Sequence, residues 1–128
     1  MINFTEALKV IEKNSGIHFL KVEEMYAESE LYIKPEHLNM FQIVGGGCLY
    51  NLADITAGVA YNSQKEKGVT ATGTMDFLRA AKDTEKIICK ATLVKKGSKL
   101  CFATAEVEDD KGRLVARASF VFCNVEQK

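Results

Sequence analysis

Between Ile43 and Tyr61 the chain runs nineteen residues with a single charged side chain, Asp54. A stretch so long and so apolar must be buried, either in a bilayer or inside protein. Asp54 stands in the middle, where an aspartate costs about 2.5 to 3.5 kcal/mol on the membrane-insertion scale, and Gly45-Gly46-Gly47 interrupts one end. The segment therefore reads as a long helix buried by protein, over residues 43 to 61. A chain of 128 residues with 47% hydrophobic content has material for one domain, 1–128, of two packed layers. The remaining segments must supply the second layer.

Those segments read mostly as strands. Asn3 with Glu6 forms a capping-box pattern, Phe4, Leu8 and Ile11 share a helical face, and Asn14-Ser15-Gly16 is a stop, so the chain opens with a short amphipathic helix. Extended pieces follow at Ile17–Val22 and Met25–Ile33, the second alternating Ala27, Ser29, Leu31 and Ile33 against Glu28, Glu30 and Tyr32, until Pro35 ends it. After the long helix, Val69, Ala71, Gly73, Met75 and Phe77 alternate with Thr70, Thr72, Thr74 and Asp76. Lys86–Lys95, Lys99–Glu108 and Leu114–Val125 are three further strands, joined by turns at 96–99 and 109–112. This predicts an α+β fold in which an antiparallel sheet curls around the central helix. One sheet cannot cover a helix that is apolar nearly all round, so a second copy of the chain is expected against its open side.

Charge and cysteine usage remove several functions. Seventeen basic residues balance seventeen acidic ones, which argues against nucleic acid or a membrane surface as a partner held by bulk attraction. Glu6 and Lys9 in the first ten residues, with no apolar run of seven, do not make a secretory signal, and the expected location is the cytoplasm. Cys48, Cys89, Cys101 and Cys123 lack metal or redox spacing, so they read as reduced thiols and no metal is expected. A first hairpin turn centred between Gly97 and Ser98 would set Cys101 opposite Val94, well away from Cys89.

From His37 to Gln64, histidine aside, Asp54 is the only residue charged at neutral pH, and no basic residue lies within four positions to pair it. Burying an unpaired carboxylate is costly, which points to a functional group in a partly buried cleft. Glycines 45 to 47 open the same helix. They are either a plain flexible turn or a place where bare backbone N–H groups at the positive end of the helix meet an oxyanion. Gly47 and Asp54 share a face but lie about 10 Å apart along the axis at ~1.5 Å per residue. Two such helices antiparallel about a two-fold axis would bring Asp54 of one chain near the glycines of the other.

Pro35-Glu36-His37-Leu38-Asn39, followed by Val44-Gly45-Gly46-Gly47-Cys48-Leu49-Tyr50-Asn51-Leu52-Ala53-Asp54, resembles the HLN…VHGGxLxxLAD signature of hotdog-fold acyl-CoA thioesterases of the phenylacetate-degradation type. Val69-Thr70 through Asp76-Phe77-Leu78-Arg79-Ala80-Ala81 and Gly112-Arg113-Leu114-Val115-Ala116 are similar to later parts of that family, so the likeness spans residues 17 to 123. It implies a hotdog fold, homodimers that often pair into tetramers, and hydrolysis of a CoA thioester with no cofactor beyond the CoA of the substrate. By position it implies Asp54 as general base or nucleophile, the Gly46 N–H as oxyanion donor, and Asn39 as a polar group placing thioester or water. Thr70 corresponds either to a hydroxyl that assists water or to one more strand-forming threonine.

One position departs from the pattern: Gly45 stands where the family normally has His. Either catalysis survives on Asp54 and the Gly46 amide, or the chain is a non-catalytic binder of acyl-CoA or lipid. Arg79 and Lys82 after the third strand, with Lys96 and its neighbours Lys95 and Lys99 about the Gly97 turn, are either cations for the CoA phosphates or ordinary surface charges. Gly47, Tyr50, Gly58 and Tyr61, on or near the Asp54 face, either border the substrate or pack in a core or dimer interface.

Overall fold

The computed structural model describes residues 3–63 and 67–125. The chain opens with helix α1 (Phe4–Ser15), strand β1 (His18–Glu23) and strand β2 (Tyr26–Tyr32). A 3-10 turn at Pro35–His37 leads to helix α2 (Gly46–Asn62), and β3 (Gly68–Phe77), β4 (Lys86–Lys96), β5 (Leu100–Asp109) and β6 (Leu114–Asn124) follow. The six strands form one sheet in the order β1-β2-β4-β5-β6-β3, every neighbouring pair antiparallel. The sheet wraps α2, which touches all six strands.

The ends of α1 are set by local chemistry. Asn3 accepts the Glu6 N–H at 2.8 Å while Glu6 accepts the Asn3 N–H at 3.1 Å, and Gly16 closes the helix at φ 79°, a left-handed conformation that glycine adopts without Cβ strain. Helix α2 starts three residues later than its apolar run, because Ile43 and Val44 are spent on bridges to Lys82 and Leu38. Its buried face, including Leu49, Leu52, Ala53, Ala57 and Ala60, packs on Ile87, Ala91, Ala103, Ala105, Phe120 and Phe122 of the sheet. Small residues on both surfaces let backbones approach closely. The Thr56 hydroxyl, fully buried, is satisfied by Leu52 O and Ser29 Oγ, each at 2.6 Å.

Bulges let the sheet curl, since an extra residue on one strand bends and twists it. They interrupt the β1–β2, β3–β6, β4–β5 and β5–β6 ladders. Two sequence expectations are corrected by the register. A wider turn between β4 and β5 places Cys101 opposite Lys96 rather than Val94, and beyond the bulge at Val94 Cys89 stands opposite Val107. The β3–β6 bulge at Ala71 breaks the simple alternation of β3: Thr70 now pairs with the inward-facing Phe122, while Val69 and Thr72 pair with Cys123 and Val121. Glu30, on the expected outward row of β2, is only 9% exposed. Lys86 at 3.0 Å and His18 at 3.3 Å cover its carboxylate, and the Lys86 ammonium outweighs burial to hold it below the usual carboxylate range.

Candidate active site

Thr70 and Asp54 meet because of the Ala71 bulge. Turned inward, the Thr70 hydroxyl donates to Asp54 Oδ1 at 2.6 Å. The carboxylate is half-buried on α2, and no ion pair to it occurs among the described residues. Among the described residues no hydrogen bond engages its Oδ2, an oxygen able to accept a proton or attack an electrophile. The Thr70–Asp54 bond is made within one chain.

The other end of α2 is a donor end. Gly45, the N-cap, donates its N–H to His37 O at 2.9 Å and accepts both Cys48 N and Leu49 N at 3.0 and 3.1 Å. The N–H groups of Gly46 and Gly47 have no acceptor among the described residues, and both glycines are exposed. Such free amides at a helix N-terminus favour negative charge. A Cβ on Gly46 would stand 3.2 Å from the Phe77 ring, whereas one on Gly47 would meet nothing within 4 Å. Gly46 and Phe77 line a hollow of about 320 Å3 with Arg79, Leu78 and Ala81.

The loop before α2 is a rigid support for this end. Asn39 Oδ1 accepts the N–H groups of Phe41 and Ile43 at 2.9 and 3.2 Å, and the Asn39 backbone N–H donates to Ile43 O at 2.8 Å. With its carbonyl committed, Asn39 presents its amide NH2 outward as a donor. His37 is a strut: its Nδ1 accepts the Lys34 N–H at 2.9 Å, so a neutral ring carries its proton on Nε2, and its carbonyl holds Gly45. Burial pushes the nearby Cys48 thiol up, and the Cys89 thiol is pushed up to about 12 by its own burial despite a Thr56 hydrogen bond. Neither is the thiolate that nucleophilic catalysis requires.

The remaining candidates divide. Arg79 joins Gly46 in the hollow, and Lys82 is bridged to Ile43 beside it. Lys96 lies elsewhere, on the sheet row that runs through Cys101 and Phe122 to Thr70. Tyr50 is half-buried, edge-on to Phe120 at 5.5 Å. Tyr61 is fully buried and stacked on Phe122 at 5.6 Å, a core position in this structure. Gly58 faces α1 across an apolar groove. Phe77 over Gly46 and the bulge at Ala71 escaped the sequence reading, as a terminal strand residue and a lone alanine carry no signal for either role.

A curled antiparallel sheet around one long helix defines a hotdog protein. The chain belongs to the thioesterase superfamily, whose family model matches residues 41–116. Its sequence is 31% identical over 99 residues to an Archaeoglobus fulgidus relative that carries an esterase name, covering 77% of this chain. The matched stretch spans only 64% of that relative's length. The structure of the Escherichia coli PaaI protein from the phenylacetic acid degradation operon superposes with a TM-score of 0.88 at 24% identity, over 94% of this chain and 92% of that one. A Streptococcus pneumoniae thioesterase protein solved with coenzyme A gives 0.85 at 22% identity, over 98% and 96% of the two chains. Among the described residues no helix is long and apolar enough to cross a membrane.

Proposed function

We propose that the protein hydrolyses acyl-CoA thioesters to free acid and CoA, acting in the cytoplasm as a homodimer, or a pair of dimers, with composite sites. The observation that carries this reading is the Asp54 carboxylate held by Thr70 at one place on α2 and the unengaged Gly46 amide at another, in a chain of the thioesterase superfamily. Eight residues separate the two, about 12 Å along the helix, too far for both to act on one carbonyl. The β3 edge supplies the remedy. It is a ten-residue strand paired on one side only, with Val69 and Phe77 55% and 58% exposed, and bare edges of this kind invite pairing. An antiparallel copy of β3, with the dyad between Gly73 and Thr74, sets Thr70 of one chain opposite Phe77 of the other. Asp54 then faces the partner's Gly46.

In this arrangement the thioester oxygen is received by the Gly46 N–H, assisted by the outward amide of Asn39. Asp54 takes a proton from water attacking the carbonyl carbon, or attacks it directly to give a mixed anhydride that water then opens. The CoA thiolate departs, and Arg79 and Lys82 beside the Gly46 hollow are placed for its phosphates. The CoA of the pneumococcal relative supports this substrate class. No separate cofactor enters the scheme. The departure at Gly45 favours a second reading, a non-catalytic acyl-CoA or lipid binder.

A panel of acetyl-, butanoyl-, decanoyl- and phenylacetyl-CoA with free-thiol detection separates the two. Wild type should release CoA, and Asp54→Asn, isosteric but unable to accept the proton, should lose roughly 10²- to 10⁴-fold in kcat while its circular dichroism is unchanged. Tight binding without thiol release would establish the binder. Turnover unaffected by Asp54→Asn would remove the carboxylate from the chemistry.

A further inference from the structure

Three contacts run in order along α2 and β3. A Cβ on Gly46 would touch the Phe77 ring at 3.2 Å, a Cβ on Gly73 would collide with Tyr50 Oη, and Asp54 accepts from Thr70 at 2.6 Å. Under the dyad that pairs two β3 edges the outer contacts exchange places: the Phe77–Gly46 end of one chain meets the Thr70–Asp54 end of the other. The middle contact falls beside the axis, because Tyr50 is midway between Gly46 and Asp54 in the sequence and Gly73 adjoins the strand dyad. Resting on the composite thioesterase site above, we infer that Tyr50 is a positioning residue: the hydroxyls of the two Tyr50 side chains meet at the two-fold axis, and the hydrogen bond between them fixes how Asp54 stands to the partner's Gly46. Neighbouring strands lie ~4.8 Å apart. Hydroxyls seated over the two Gly73 backbones are therefore within a small swing of each other.

The hydroxyl is available for this role. Tyr50 is half-buried with its ring edge-on to Phe120 at 5.5 Å, and no hydrogen bond to its oxygen occurs among the described residues. Tyrosine hydroxyls taken out of water usually find a partner, and the second copy brings one. The strand also needs such a pin. Thr70, Thr72 and Thr74 repeat at every second position of β3, and a repetitive strand specifies its pairing register weakly. A slip of two residues keeps every side chain on its face but displaces the copies by about 7 Å at ~3.4 Å per residue. That is enough to part Asp54 from the partner's amide. A polar pair satisfied in one register and broken in the others opposes the slip, as a single buried asparagine sets the register of a coiled coil.

Ruthenium-sensitised photo-oxidation couples adjacent tyrosine rings into dityrosine and tests the pair in the wild-type protein. It should give a covalent dimer in which mass spectrometry of the peptides places the new bond between two Tyr50 rings. Tyr26→Phe and Tyr32→Phe should retain that product, and Tyr50→Phe should lose it. Tyr50→Phe keeps the ring that packs on Phe120, so its circular dichroism should match wild type. Its kcat should fall roughly tenfold, the equivalent of one hydrogen bond, with KM unchanged, at a protein concentration where sedimentation shows the dimer. Crosslinks that join other tyrosines, no crosslink at all, or an unchanged kcat in Tyr50→Phe overturns the inference. A Tyr50–Tyr50 crosslink in a protein that releases no thiol keeps the pair at the axis and rejects the hydrolase reading instead. Thiol release without that crosslink rejects the pair and leaves the hydrolase standing.

Discussion

At the scale of single residues the departure at Gly45 is open to direct repair. Its backbone sits at φ −65° and ψ 147°, ordinary for any L-residue, and a Cβ would meet only His37 O at 3.7 Å. Gly45→His should therefore fold, with Tm within a few degrees of wild type, since a changed N-cap costs about 1 kcal/mol. The added imidazole stands at the start of α2 beside the free Gly46 and Gly47 amides, and we expect kcat to rise. A stopped assay of thiol release on both proteins decides it: equal turnover would show the position to be dispensable. His37 cannot serve in its place, because Nδ1 already accepts from Lys34 and the carbonyl holds Gly45.

Among the elements, β3 is the one in which geometry and chemistry are most tightly joined. The Ala71 bulge turns Thr70 onto Asp54, and two residues later Gly73 lets α2 lie against the strand. A Cβ on Gly73 would collide with Tyr50 Oη and stand 2.6 Å from Phe120, so Gly73→Ala should destabilise the fold by about 1 to 3 kcal/mol through overpacking. Removing the hydroxyl relieves part of the clash. Tyr50→Phe in the Gly73→Ala background should recover some of the lost Tm, measured by thermal melts of both single variants and the double variant. Strict additivity would mean that Tyr50 swings away without cost. The same displacement would loosen the Thr70–Asp54 bond, so kcat should follow the melts.

On the scale of the whole molecule the prediction concerns the shared site. If each site takes Asp54 from one chain and Asn39 with Gly46 from the other, Asp54→Asn and Asn39→Ala homodimers are both impaired. Unfolded together and refolded, they form mixed dimers with one doubly damaged and one intact site, and activity should reappear toward one site per mixed dimer. Thiol release that stays at the average of the two parents, with subunit exchange demonstrated by mass spectrometry, would place Asp54 and Asn39 in one chain's site. Much of this design was legible in residues alone. The capping box at Asn3 and Glu6, the turn at Gly16, the strands and the long apolar helix are local matters, decided by side-chain period and by which residues tolerate a left-handed backbone. The motif from Asn39 to Asp54 is contiguous, so its spacing displayed the candidate groups. What remained hidden depends on contacts between distant segments. The bulge that turns Thr70 inward, the start of α2 at Gly46 rather than Ile43, the shift of Cys101 to face Lys96, and the burial of Tyr61 against Phe122 are each settled by what a strand or helix meets across the fold. Sequence period specifies which side of an element is apolar; the sheet's curl around α2 decides which residue stands at which point of contact.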